Sequence, residues 1–208
     1  MARFTSESEM DDASVFILAG GKSSRMGTDK ALLAIEGKTL LQRALAVAGE
    51  ISERVFIVGG KQKFSSFGSV IEDAYPDCGP LAGIQAALNN SNTELNLMLA
   101  VDLPFVTGPL LRFLLSISQH SDAMVTVPRV NGRLQPLCAI YRKAFSELAE
   151  ESLRQGRYKI DPLFNQVPTR IADQKELETA GFPGALFENV NTPSEWTEAK
   201  GRLSQSVL

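Results

Sequence analysis

At 208 residues, with 44% hydrophobic and 22% charged side chains, the chain suits one α/β domain with a substantial core. A net charge of −3 gives no electrostatic argument for nucleic acid or an anionic membrane as partner, so any charge that binds phosphate must be local. The 2 cysteines are too few for a disulfide framework and match no zinc spacing, and no apolar run approaches the ~20 residues of a membrane span.

The amino terminus is polar and acidic (Glu7, Glu9, Asp11, Asp12) and lacks the apolar stretch of a signal peptide. Residues 1–13 read as a disordered leader and 14–208 as a single domain, with the cytoplasm as the expected location. Strands are expected over residues 14–19, 54–58, 69–71, 95–100, 123–127 and 136–141. Helices are expected over 40–48, 81–89, 109–118, 143–155 and 194–203, the first from the i, i+4, i+7 stripe of Leu41, Leu45 and Ala48. Alternation of the two patterns is the sign of βαβ units and a mainly parallel sheet. Residues 155–187 are the least regular and read as a flap or a substrate-facing excursion.

In such a sheet, ligands gather beyond the carboxyl ends of the strands. The first of those ends is the most informative. Val15 to Leu18 gives way abruptly to Gly20-Gly21, small hydroxyl residues, and the cations Arg25 and Lys30. Paired glycines let backbone N–H groups approach an anion closely, and the two cations would neutralise phosphate charge. The usual phosphate-loop templates do not fit. A Walker A motif would need a glycine at Phe16, and the dinucleotide fingerprint lacks its third glycine. An ordinary glycine-rich turn is the competing reading, and Arg25, Gly27, Asp29 and Lys30 in series argue against it.

Three further segments fall on the same edge. Leu97 to Val101 is apolar and ends in Asp102, a carboxylate placed to hold Mg²⁺, which takes one or two protein oxygens plus phosphates and water; the alternative is a helix-capping aspartate. Asp73, just past a short strand, is placed to meet a base or ribose, with Gly79-Pro80 and Gly83 shaping a close turn before a helix; an ordinary turn with solvated acids is the competing reading, stronger for Glu72 and Asp77 than for Asp73. Asn189 and Asn191 lie on one side of an extended segment, facing phosphate or metal-bound water, or else Thr192 simply caps the last helix. Residues 132–136 and 156–159 carry cations and donors for a second, anionic substrate, with solvated loop charge as the competing reading. His120 reads as a surface loop residue, and no serine sits in a nucleophile elbow.

LAGG-x-S-x-R-M-G-x-D-K-A-L-L, followed by VIED with GPLAGI, VDLPFV, QPL and NVNTP, resembles the molybdenum cofactor guanylyltransferases of the MobA type, from Leu18 to Thr192. The resemblance implies a Rossmann-like three-layer sandwich of nucleotidyltransferase type that joins GMP from GTP to molybdopterin and releases pyrophosphate. It implies that Leu18, Ala19, Gly20, Gly21, Lys30 and Asp73 bind GTP, and that Asp102 binds Mg²⁺ and the nucleotide phosphates. Arg25, Lys30 and Asp102 would be catalytic. Gln135, Pro136, Arg157, Asn189 and Asn191 would lie toward the pterin. Transient contact with proteins that supply or accept the cofactor is expected. One departure stands out: some relatives carry a nucleotide-contacting asparagine past the second strand, where this chain has Gly59-Gly60. The competing activities are a cytidylyltransferase or sugar-phosphate nucleotidyltransferase of the same fold, and a non-catalytic nucleotide sensor. Cytidylyl relatives more often carry LAAG, so LAGG favours guanine.

Overall fold

β1 (Ala13–Leu18) is the spine of the molecule, because its side chains are buried on both faces. Val15 and Ile17 enter one apolar core and Phe16 the other, the alternation that a pleated strand imposes. The structure, a computed structural model, describes residues 13–20 and 29–205. The expected leader up to residue 12, and Gly21, Lys22, Arg25 and Gly27 of the first loop, lie outside the described residues.

The remaining elements follow in order. β2 (Ala34–Ile35) and β3 (Lys38–Thr39) form a small hairpin, then come α1 (Leu40–Gly49), β4 (Val55–Val58), α2 (Lys61–Phe64), β5 (Val70–Ile71) and α3 (Pro80–Asn90). β6 (Leu95–Ala100), α4 (Gly108–Gln119), β7 (Val125–Val130), β8 (Arg133–Leu134), β9 (Cys138–Arg142) and α5 (Phe145–Arg154) complete the middle of the chain. β10 (Thr169–Asp173), α6 (Gln174–Thr179) and α7 (Pro193–Gln205) close it.

The large sheet runs β10-β7-β9-β6-β1-β4-β5, with β8 paired to β7. β1 is parallel to β4 and β6, β4 to β5, and β10 to β7; only β9 and β8 run against their neighbours. Leu81, Ile84 and Leu88 of α3 join Phe145, Ala149 and Leu153 of α5 on one face. Leu40 and Leu41 of α1, Leu110, Leu111 and Leu114 of α4, and Leu177 of α6 cover the other. The result is the expected three-layer α/β sandwich with a mainly parallel sheet. Among the described residues no helix is long and apolar enough to cross a membrane.

All six expected strands and five expected helices form, with ends displaced by a few residues. Residues 155–187 are not a flap. They hold a short 3₁₀ turn at Asp161–Asn165, edge strand β10 and α6, and β10 extends the sheet in parallel register from Thr169 opposite Val125. An edge strand with only Ala172 buried gives little apolar pattern to read.

At the amino ends of β1 and β6 sits a buried polar knot. Thr93 Oγ1 donates to Ser14 Oγ at 2.9 Å, Ser91 Oγ donates to Asn96 Oδ1, and Asn96 Nδ2 donates to the carbonyls of Glu94 at 3.1 Å and Tyr141 at 3.3 Å. It locks the bottom of the sheet. The carboxyl ends have no such closure.

Candidate active site

β1 lies between β4 on one side and β6 on the other, so the chain leaves its carboxyl end toward one neighbour and returns later beside the other. Connections that diverge in this way open a crevice at the strand ends. A cavity of about 710 Å³ occupies that place, lined by Leu18, Ala19 and Gly20 after β1, Gly59 and Gly60 after β4, Asp73 and Asp77 after β5, and Asp102 after β6.

Lys30 enters the cavity on a short 3₁₀ turn, Lys30–Leu32, whose geometry the sequence explains. Asp29 caps the turn, its Oδ1 accepting from the Ala31 N–H at 3.2 Å, while Oδ2 pairs with Lys63 Nζ at 3.0 Å. Ala31 is fully buried and pins the turn to the core. Lys30 Nζ is thereby delivered to Asp102 Oδ2 at 3.2 Å and to Asn191 Oδ1 at 2.5 Å. Lys30 and Asp102 retain 19% and 23% side-chain exposure, so both are within reach of a ligand in the crevice.

Asp102 is not a helix cap: α4 begins later, behind Thr107, and the Asp102 side chain turns to Lys30. Its carbonyl accepts from Val190 N at 2.9 Å, which ties the Asp102 loop to the Asn189–Asn191 strand-like segment. Val190 is buried on one side of that segment; Asn191 faces Lys30, and Asn189 is exposed. The competing reading of this segment is seen directly: Thr192 caps α7. Thr192 Oγ1 accepts from Glu195 N at 3.3 Å, and Glu195 Oε2 accepts from Thr192 N at 2.9 Å and Asn191 N at 2.6 Å, a reciprocal capping box. The Asn191 N–H is the main cause that holds the Glu195 carboxyl below the usual glutamate value; desolvation opposes it, and Thr192 and the Lys30 charge assist.

Asp73 stands exposed at the rim, and its carboxyl lies above the usual aspartate value. Partial withdrawal from water is the main cause; Asp77 and Glu72 add like charge, and a hydrogen bond from the Tyr75 backbone opposes them. Gly79, at φ +74°, makes the turn into α3 that the Gly-Pro pair suggested, with Pro80 at the first helical position. The α3 amino terminus thus faces the cavity and presents the positive end of its dipole.

At Gly59 the wall of the cavity is bare. A Cβ built there would sit 2.9 Å from the Phe64 ring and 3.3 Å from Gly20 N, so no side chain fits without movement. What this position offers the cavity is backbone.

Gln135 and Pro136 lie on the turn between β8 and β9, next to Leu137, which lines the cavity. Arg157 is exposed after α5 and lines neither this cavity nor the neighbouring one. Leu137 was not foreseen, and an isolated leucine before a strand carries no local signal of such a role. His120 caps α4 at the surface, its Nδ1 2.7 Å from the Ser116 carbonyl. Cys138 is buried in β9, with its thiol pushed up to about 12 by burial, and so stays protonated in the core. Cys78 is half-buried.

The sequence matches the family described as the MobA-like NTP transferase domain over residues 15–167. A protein of Pelotomaculum thermopropionicum named probable molybdenum cofactor guanylyltransferase is 36% identical, over 92% of this chain and 93% of its own length. A Carboxydothermus hydrogenoformans protein of the same name is 33% identical, over 90% and 94%. Among solved structures, the molybdopterin-guanine dinucleotide biosynthesis protein A of Archaeoglobus fulgidus superposes with a TM-score of 0.82, covering 92% of this chain and 99% of its own, at 23% identity. The family match spans well over half of the chain, and relatives of 33% and 36% identity align over nearly all of it: the chain belongs to the MobA-like NTP transferase family.

Proposed function

We propose that this chain transfers GMP from GTP to molybdopterin, releasing pyrophosphate and forming the guanine dinucleotide cofactor in the cytoplasm. The observation that carries the reading is the Lys30–Asp102–Asn191 cluster at the mouth of the β1/β6 crevice, in a member of a nucleotidyltransferase family.

The chemistry asks little of the protein in proton transfer. A terminal phosphate of the acceptor has its second pKa near ~6 and is mostly ionised at neutral pH, so no general base is required. One acceptor oxygen attacks the α-phosphorus of GTP; a new P–O bond forms, the bond from the α-phosphorus to the α–β bridging oxygen breaks, and pyrophosphate leaves with that electron pair. What remains for the enzyme is positioning and charge neutralisation. Lys30 supplies a point charge for the triphosphate, and Arg25, Gly20 and Gly21 would supply further donors from the first loop. The α3 terminus adds a favourable field for anionic groups. Asp73, exposed at the rim, would accept from the base or ribose.

Asp102 fits Mg²⁺. A lone half-exposed carboxylate, with one oxygen toward Lys30, suits an ion that draws its other ligands from phosphate and water. When bound there, Mg²⁺ would supply neutralisation of developing phosphate charge.

The test is direct. Mixing the protein with GTP, Mg²⁺ and molybdopterin should release pyrophosphate, and omitting the pterin should abolish release. Equal release with a sugar phosphate as acceptor, or release that needs no acceptor, would overturn the reading.

A further inference from the structure

A second cavity, of about 700 Å³, opens beside the nucleotide crevice and is lined by Arg129, Arg133, Leu134, Pro136, Asp161 and Ile171. Its position follows from the sheet. β7 runs in the same direction as β6, because β9 is antiparallel to both, so the end of β7 bearing Arg129 faces the same edge as Asp102. The two-residue turn Asn131-Gly132, with φ of +50° and +73°, folds β8 back onto β7 and pairs Arg129 with Leu134. Arg129 shares that face with Leu134 and, through register, with the β10 face of Ile171.

The charged groups here are unusually unengaged. Among the described residues the side chains of Arg129, Arg133 and Asp161 make no ion pair, whereas eight ion pairs are formed elsewhere, including three by arginines on α4, α5 and α7. Arg129 and Asp161 line one concavity, with Arg133, paired with Val130 on the other face of the β7–β8 ribbon, at its edge; together they match a ligand that is anionic at one end and rich in N–H donors at the other.

The two cavities share a wall. Pro136 lines the second cavity and Leu137 the first, and adjacent Cα atoms are only about 3.8 Å apart. That wall is held at several points: Gln135 N donates to Pro128 O at 2.9 Å, Ala100 N to Leu137 O at 2.7 Å, and the Tyr141 hydroxyl to Pro136 O at 2.9 Å. Burial, with a contribution from Asp161, keeps Tyr141 protonated and able to donate.

We infer that this second cavity seats the acceptor: Arg129 and Arg133 hold its anionic groups, and Asp161 accepts from the paired N–H donors of its fused pyrimidinone ring. The inference rests on the proposed guanylyl transfer to molybdopterin and adds residues on β7, β8 and the Asp161–Asn165 turn to the acceptor side. A carboxylate accepting two parallel N–H bonds from such a ring is the geometry by which it also recognises a guanidinium.

The experiment compares Arg129→Ala, Arg133→Ala and Asp161→Asn with the parent, reading KM for molybdopterin, kcat, and GTP affinity by calorimetry. A pterin phosphomonoester, 6-hydroxymethylpterin phosphate, serves as a direct binding probe through its fluorescence. Loss of a charge-assisted bond should raise the molybdopterin KM and the probe Kd by about ten- to a hundredfold in Arg129→Ala, Arg133→Ala and Asp161→Asn, with GTP affinity within about twofold. Unchanged KM and probe binding in all three variants would overturn the assignment, as would a parallel fall in GTP affinity. Failure of the parent protein to use molybdopterin at all would instead remove the underlying activity. These side chains are exposed, and matching thermal unfolding curves would show the fold intact.

Discussion

The two ends of β1 and β6 carry polar groups of similar kinds and treat them in opposite ways. At the amino ends, Ser14, Ser91, Thr93 and Asn96 are buried and bond to one another and to backbone carbonyls. At the carboxyl ends, Lys30, Asp102 and Asn191 also bond to one another, yet they stay partly exposed along a cavity. A buried polar group left without a partner costs heavily, so the closed knot serves stability and has little to offer a ligand. Half-exposed charges can exchange partners at much smaller cost, which is what a phosphate site requires. Function is assigned by wetness as much as by residue type.

Breaking the carboxyl end should give the largest effect. Asp102→Asn keeps shape and removes charge, and turnover should fall on the order of 100- to 1,000-fold, as for other groups fixed against developing charge. The unfolding temperature should barely move. Near-normal turnover at limiting Mg²⁺ would remove Asp102 from the chemistry.

Breaking the amino end should do the reverse. Asn96→Ala strands the partners of a fully buried amide, at a cost of about 1–3 kcal/mol. For a chain of this size that lowers the unfolding midpoint by roughly 2–12 °C. GTP affinity should be unchanged, and a matching fall in affinity would dissolve the distinction between the two ends.

A smaller effect sharpens the boundary between them. Glu195 caps α7 and holds the Asn191 backbone, and its carboxyl is depressed by those bonds. Such a group contributes stability that is complete above its unfolded value, about 4.3, and is lost as pH falls through the lower folded value. From pH 7 to pH 3, the unfolding midpoint of Glu195→Ala should therefore decline less steeply than that of the parent. Equal slopes would detach Glu195 from the cap.

Much of this was legible in residue order. Apolar β1 and β6 ended at the right places, Gly79-Pro80 opened α3 as read, and Asp102 sat at the end of its strand. The pairing of Lys30 with Asn191, 161 residues away, was not legible, because nothing local marks a contact made by sheet topology. The hairpins at Glu36-Gly37 and Asn131-Gly132 were available but unread; the second is the strongest short hairpin signal a sequence offers, and both turns adopt the positive φ it implies. Asp173, three residues before Glu176, likewise announced α6 through its cap. β10 was hidden for a different reason: its pairing with β7 is parallel and distant in sequence, and its half-exposed edge position erases the apolar alternation.

The most direct measurement is calorimetric titration of the protein with GTP, CTP and ATP, each in Mg²⁺. The account predicts that GTP binds most tightly, and that Lys30→Ala weakens it by about ten- to a hundredfold through loss of a charge-assisted phosphate contact. Tighter binding of CTP than of GTP would contradict the guanylyl assignment.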